Sequence, residues 1–193
     1  IVKMSHHHNP HTFEAALNAL KEGNGRFVPG HVNHPHQDKP LPDPLAAEGQ
    51  APLVAVLACS DSPAPVELLF DQGFGDLFIV RAAGQVAGPD QIGSLEYAAE
   101  HLGVPVILVL GHTKCGAITA AVGVAKEAGV FGGLLDRLAP VVKAVENLPE
   151  KEKMAAAVDM TVDFIIAELR AKSEGLAQAE KEGRLRLVGA VYH

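Results

Sequence analysis

The run Leu53-Val54-Ala55-Val56-Leu57-Ala58 carries no polar side chain, and Val106-Ile107-Leu108-Val109-Leu110 repeats the pattern further along the chain. A strand that is apolar at every position needs cover on both faces, which is the situation of a parallel strand between two layers of helix. Leu77–Val80 reads as a shorter run of the same kind, and Leu185–Val191 as a late strand at the sheet edge. Helical patterns separate these runs, and alternation of this sort with right-handed crossovers predicts an α/β fold. The expected architecture is a mainly parallel central sheet of about four to five strands, flanked by helices and preceded by an N-terminal helical arm.

Residues 1–11 hold His6, His7, His8 and His11 in a polar, Pro-interrupted stretch, read as a flexible tail, and residues 12–193 are read as one domain. Phe13, Ala16, Leu17 and Leu20 recur at helical spacing, with Thr12 as N-cap and Gly23 as stop signal. Residues 28–52 include Pro29, Pro35, Pro40, Pro42, Pro44 and Pro52, a density that forbids regular structure, so an extended surface connector is expected, with His31, His34 and His36 as solvated side chains. Pro65 starts a short helix ended by Gly73, and Asp90 caps a helix containing Ile92, Leu95, Tyr97, Ala98 and Leu102. Gly116 to about Ala128 reads as an alanine-rich helix. A Gly132-Gly133 break then leads to a segment limited by Pro140, and a long helix follows from about Glu150 to Ala171.

The chain has 193 residues, 48% of them hydrophobic, enough for one domain with a sizeable core. A net charge of −7 and a pI near 5.8 argue against a nucleic-acid partner, which requires a concentrated basic surface. No apolar run approaches the ~20 residues that span a bilayer. The expected partners are small molecules and other copies of the chain. The compartment is expected to be cytoplasmic, or periplasmic or secreted if an upstream segment has been removed.

Two cysteines permit a disulfide, a metal site or two inert core thiols. The first strand run ends in Cys59-Ser60-Asp61 and the third leads into Gly111-His112-Thr113-Lys114-Cys115. If these strands are parallel neighbours, Cys59, Asp61, His112 and Cys115 meet at the carboxyl edge of the sheet, where open α/β folds build their sites. Two thiolates and an imidazole, with a carboxylate or water in fourth place, suit a tetrahedral zinc, and an open fourth position makes such a zinc catalytic. The metal would then lower the pKa of a water and supply hydroxide near neutral pH. Cys115 at a helix N-terminus is favourably placed as a thiolate. The small residues Ala83, Gly84, Val86, Gly116 and Ala117 leave room for little more than a small electrophile, although tight strand–helix packing requires the same residue types.

An ordered series of motifs resembles the β-class carbonic anhydrases: Gly23-Asn24-Gly25-Arg26-Phe27, CSDS at 59–62, Pro65-Val66-Glu67, GDLFIVRAAGQ at 75–85, SLEYAAEHLGV at 94–104, GHTKCGA at 111–117 and GRLRLVGAVY at 183–192. The resemblance spans about Thr12 to Tyr192. It implies one zinc per chain on Cys59, His112 and Cys115, carbon dioxide and bicarbonate as substrates, Asp61 as catalytic carboxylate and Gln85 as a donor to a bound anion, beside Gly84 and Gly116. It also implies an N-terminal helix packed across a neighbouring subunit, hence a homodimer or tetramer. That inference gains from the lack of an obvious resting surface for the helix and the Pro-rich connector on one domain.

One departure matters. The family pattern reads Cys-x-Asp-x-Arg, with the arginine paired to the aspartate and keeping it off the metal; here Pro63 takes the arginine's place. Unpaired, Asp61 can become a conditional fourth ligand. Arg81 is the nearest substitute cation, although its match to the family's VR-x-AG run favours a structural role, and Lys114 faces either solvent or the site mouth. Three functions stay open: attenuated carbon dioxide hydration, hydrolysis of carbonyl sulfide or carbon disulfide as in relatives of this fold, and a catalytically silent zinc-bearing subunit.

Overall fold

The computed structural model describes residues 11–37, 49–123 and 129–193. Its sheet has four parallel strands in the order β2-β1-β3-β4. They are β1 (Val54–Ala58), β2 (Leu77–Arg81), β3 (Val106–His112) and β4 (Arg186–Tyr192). The helices are α1 (Phe13–Phe27), α2 (Val66–Leu69), α3 (Pro89–Glu100), α4 (Gly116–Val122), α5 (Gly129–Asp136), α6 (Ala139–Val145), α7 (Glu150–Lys172) and α8 (Glu174–Lys181).

The continuous apolar runs conceal a period of two. Ala55 and Leu57 of β1, with Ile107 and Val109 of β3, face Leu95 of α3, Ile165 and Leu169 of α7 and Leu176 of α8. Val54, Val56 and Ala58, with Leu108 and Leu110, face the other way, against Ala16 and Leu20 of α1 and Val66 and Leu69 of α2. Both central strands are buried at every position. Each such Val, Leu or Ile contributes roughly 1.5–3 kcal/mol by leaving water, and a polar residue at any position of Val54–Ala58 or of residues 106–110 would forfeit that. β4 lies at one edge, as expected.

Several boundaries differ from the sequence reading. Gly23 does not stop α1, which runs on to Phe27. It is a contact glycine: a Cβ there would lie 1.7 Å from the Phe70 carbonyl oxygen at the end of α2, so only a bare Cα lets the two elements approach. Asp90 does not cap α3; Gly88 does, and its N–H donates to the Gln91 side chain. The Gly132-Gly133 pair lies inside α5 rather than breaking it. β3 extends two residues beyond Leu110 to include Gly111 and His112. The helix α8 was missed; its signal is Ser173, whose Oγ accepts the Leu176 N–H as a cap.

The N-terminal helix also has a resting surface. Ala16 and Leu20 are buried against the sheet of their own chain, so the sequence argument for a dimer from an unpartnered helix does not hold. Arg26 at its far end pairs with buried Asp71 at 2.6 Å, and Asp71 also accepts the Asn33 and His34 N–H groups. His31 and His34 are exposed, and His36 is exposed but paired with Asp76. The tail at residues 1–10, Pro40, Pro42, Pro44 and the end of the alanine-rich helix at 124–128 lie outside the described residues.

Candidate metal centre

β1 and β3 are hydrogen-bonded neighbours, with Ala58 opposite Leu110, so the residues that follow them emerge side by side at the carboxyl edge. The ligand atoms of Cys59, Asp61, His112 and Cys115 all lie within 4.8 Å of one another. Both cysteines are completely buried, His112 is 3% exposed and the Asp61 side chain is 38% exposed. The floor is an apolar cluster that includes Val86, Ile118, Leu138, Val141 and Val158.

Each side chain is held by a local device. His112 Nδ1 donates to the Thr113 carbonyl at 3.0 Å, since a carbonyl can only accept. That bond fixes the tautomer and leaves the Nε2 lone pair free, and Nε2 is buried without a hydrogen-bond partner among the described residues. Cys115 directly precedes α4. The turn before it places Lys114 at φ +57, a strained conformation for a side-chain-bearing residue, with Lys114 exposed to solvent. The Asp61 carboxylate accepts the Gly116 N–H at 3.0 Å and lies 3.5 Å from His112 Nε2.

The two sulfurs are 3.7 Å apart and both thiols are free. A tetrahedral ion with metal–sulfur bonds of ~2.3 Å separates its sulfurs by roughly 3.8 Å. The hydrogen bond from Cys115 pulls the Cys59 thiol down to about 5 against its burial, with help from the Asp61 N–H at 3.5 Å, the neighbouring His112 side chain and the Gly84 N–H at 3.2 Å. The same contact, then burial, pushes Cys115 well above the usual thiol range. Without a metal the pair shares one proton. The sulfur spacing, the unpartnered Nε2 and the ready thiolate together fit a metal ion.

Arg81 does not pair with the Asp61 carboxylate. Its Nε donates to the Cys59 carbonyl at 2.7 Å and its Nη2 to the Asp61 carbonyl at 2.6 Å. Gly84, at φ +66, turns the chain so that its N–H meets Cys59 Sγ, and Ala117 and Leu138 close over it. Of the residues expected near the substrate, Gly84 and Gly116 therefore have their N–H groups engaged. Gln85 is fully buried with both amide atoms unbonded among the described residues. Sequence reading missed the Gly84 and Gly116 contacts, which depend on backbone placement alone. Among the described residues no helix is long and apolar enough to cross a membrane.

The model of the family described as carbonic anhydrase matches residues 54–193. The chain is 39% identical over 187 residues to a protein named carbonic anhydrase 2 from Mycobacterium tuberculosis, covering 92% of this chain and 87% of that protein. It is 37% identical over 182 residues to a carbonic anhydrase of Mycolicibacterium smegmatis, covering 93% and 88%. Among solved structures, a tetrameric β-carbonic anhydrase of Sordaria macrospora superposes with a TM-score of 0.69 at 27% identity, covering 93% of this chain and 90% of that one. A Coccomyxa β-carbonic anhydrase in complex with acetazolamide gives 0.71 at 26% identity, covering 91% and 81%.

Proposed function

Because the chain belongs to the β-class carbonic anhydrase family, we propose that it interconverts carbon dioxide and bicarbonate at one zinc ion held by Cys59, His112 and Cys115. The observation that carries this reading is the unpartnered, buried Nε2 of His112 beside two free thiols at tetrahedral spacing. Zinc held there supplies Lewis acidity that brings the pKa of water toward neutrality. The protein does the rest. Thr113 keeps the imidazole facing inward, the Gly84 and Asp61 N–H groups stabilise the Cys59 thiolate, and the apolar floor excludes bulk water.

Asp61 is the catalytic carboxylate in this reading: fixed by the Gly116 N–H and partly open to solvent, it accepts a hydrogen bond from the reacting water and orients it. The two thiolates already offset the charge of the dication, so an additional unpaired carboxylate opposes hydroxide formation. The site is therefore expected to be slower near neutral pH than one with an Asp–Arg pair. Gln85, with its amide uncommitted, is proposed as the anion contact. Assembly as homodimers or tetramers belongs to the same proposal, and light scattering on the purified chain checks it.

A second reading is favoured by one observation. Asp61 Oδ2 is 3.5 Å from His112 Nε2, close to the roughly 3.3 Å expected between two ligands on a tetrahedral ion with bonds of ~2.0 Å. Asp61 would then close the site and silence it. Stopped-flow hydration of carbon dioxide, on zinc-loaded and metal-stripped chain, tests both. Turnover that is lost on stripping and recovered with zinc is expected. Full zinc occupancy without turnover at any pH favours the closed site, and equal rates with and without zinc refute the first reading.

A further inference from the structure

The loop Cys59-Ser60-Asp61 carries both residues that β1 contributes to the centre, and it leaves the sheet before either residue reaches its place. β2 continues to hold it. The Ala82 N–H donates to the Ala58 carbonyl at 3.1 Å and the Ser60 N–H to the Ala82 carbonyl at 3.2 Å, which extends the pairing past the last ladder residues, Ala58 and Arg81. Arg81 then grips the two carbonyls that remain, those of Cys59 and Asp61.

A guanidinium is a planar, rigid fork. One fork holding carbonyls on either side of Ser60 fixes how the chain turns between them, and that turn sets where the Asp61 carboxylate lies relative to Cys59 Sγ. Pro63 has neither a charge nor an N–H with which to share the task. The Arg81 charge is also directed at main-chain oxygens, which leaves the carboxylate facing His112 Nε2. Arg81 thus holds the main chain of this loop and supplies no charge to the Asp61 carboxylate.

We propose that Arg81 is a positioning residue of the metal centre, setting where the Cys59 sulfur and the Asp61 carboxylate lie through their main-chain carbonyls. The inference rests on the metal reading given above. A lysine in its place reaches one carbonyl and not both, so charge alone does not replace it.

The test uses the metal-stripped full chain and its Arg81→Lys and Arg81→Gln variants. Each is titrated with cobalt(II), followed by absorption, and its zinc affinity is measured against a chromophoric chelator. Thermal melts of the metal-free proteins are recorded in parallel. Zinc affinity is expected to fall about 10–100-fold in both variants, as for other groups that orient metal ligands, with Arg81→Lys recovering part of the loss. The cobalt bands are expected to shift in both. Variants with wild-type affinity and unshifted bands overturn the proposal even if they melt at lower temperature, because Arg81 is then a fold residue only. If Arg81→Gln does not fold, Arg81→Lys, which keeps charge and length, decides by the same criteria. Failure of the parent chain to take up either metal refutes the metal reading, and the Arg81 proposal with it.

Discussion

His112 and Cys115 reach the centre from one continuous stretch, the end of β3, a tight turn and the start of α4, whereas Cys59 and Asp61 ride on a loop that another strand has to hold. The β3 side orients itself: the imidazole is set by the carbonyl of the very next residue, and the second cysteine by the turn and the helix start. The β1 side borrows. Its sulfur is met by a glycine N–H from beyond β2, its carbonyls by Arg81 and its carboxylate by a backbone N–H from α4. Pro63 lies in the half that depends on distant groups.

The largest effect should come from removing a ligand on the self-contained side. Structural zinc sites gain roughly 10–16 kcal/mol from about four ligands, so Cys115→Ala should weaken zinc binding by about 3 kcal/mol or more, over a hundredfold. Chelator competition measures it, and a loss below tenfold would mean that Cys115 is not a ligand.

Proton release compares the two sulfurs directly. With its pKa lowered to about 5, Cys59 is already a thiolate at neutral pH, while Cys115, raised, keeps its proton until metal displaces it. Between about pH 7 and 8.5, zinc uptake should release about one thiol proton per site, and affinity should rise about tenfold per pH unit. Calorimetry in buffers of different ionisation enthalpy counts the protons. Release of two protons beyond any lost by water on the zinc would place both thiols in the same state and erase the asymmetry.

Pro63→Arg should give the β1 side what it lacks. An opposite charge within about 4–6 Å shifts a carboxyl by about 1–3 pKa units, so the variant is expected to raise carbon dioxide hydration near neutral pH about tenfold and to move the rate profile about one unit toward acid. No gain would mean that Asp61 is already positioned by its backbone contacts. The smallest effect is expected for Gly84→Ala. Its φ of +66 and the 3.3 Å approach of Ala117 and Leu138 should cost about 1 kcal/mol, or roughly 2–4 °C in Tm. A neutral result would show that the β2 exit adapts freely.

The same asymmetry governs what could be read from the sequence. The sheet and the meeting of Cys59, Asp61, His112 and Cys115 at its edge were legible because an apolar strand ending in a cysteine or histidine motif is a local pattern. So was the departure at Pro63 from the motif that the resemblance implies, since it is one letter in a short motif. The clamp by Arg81 was not, because its acceptors are main-chain carbonyls and any residue at 59 and 61 would offer them. Gly23 misled for a related reason: a stop signal and a close contact with Phe70 leave the same letter. Gly111 and His112 extend β3 because β4 pairs as far as Tyr192, a long-range fact that no local window contains.

X-ray absorption at the zinc edge of the purified chain tests the central claim most directly. The prediction is one zinc per chain with two sulfurs at ~2.3 Å, one imidazole nitrogen at ~2.0–2.1 Å and one oxygen ligand. A chain that binds no zinc, or zinc with fewer than two sulfur ligands, would contradict it.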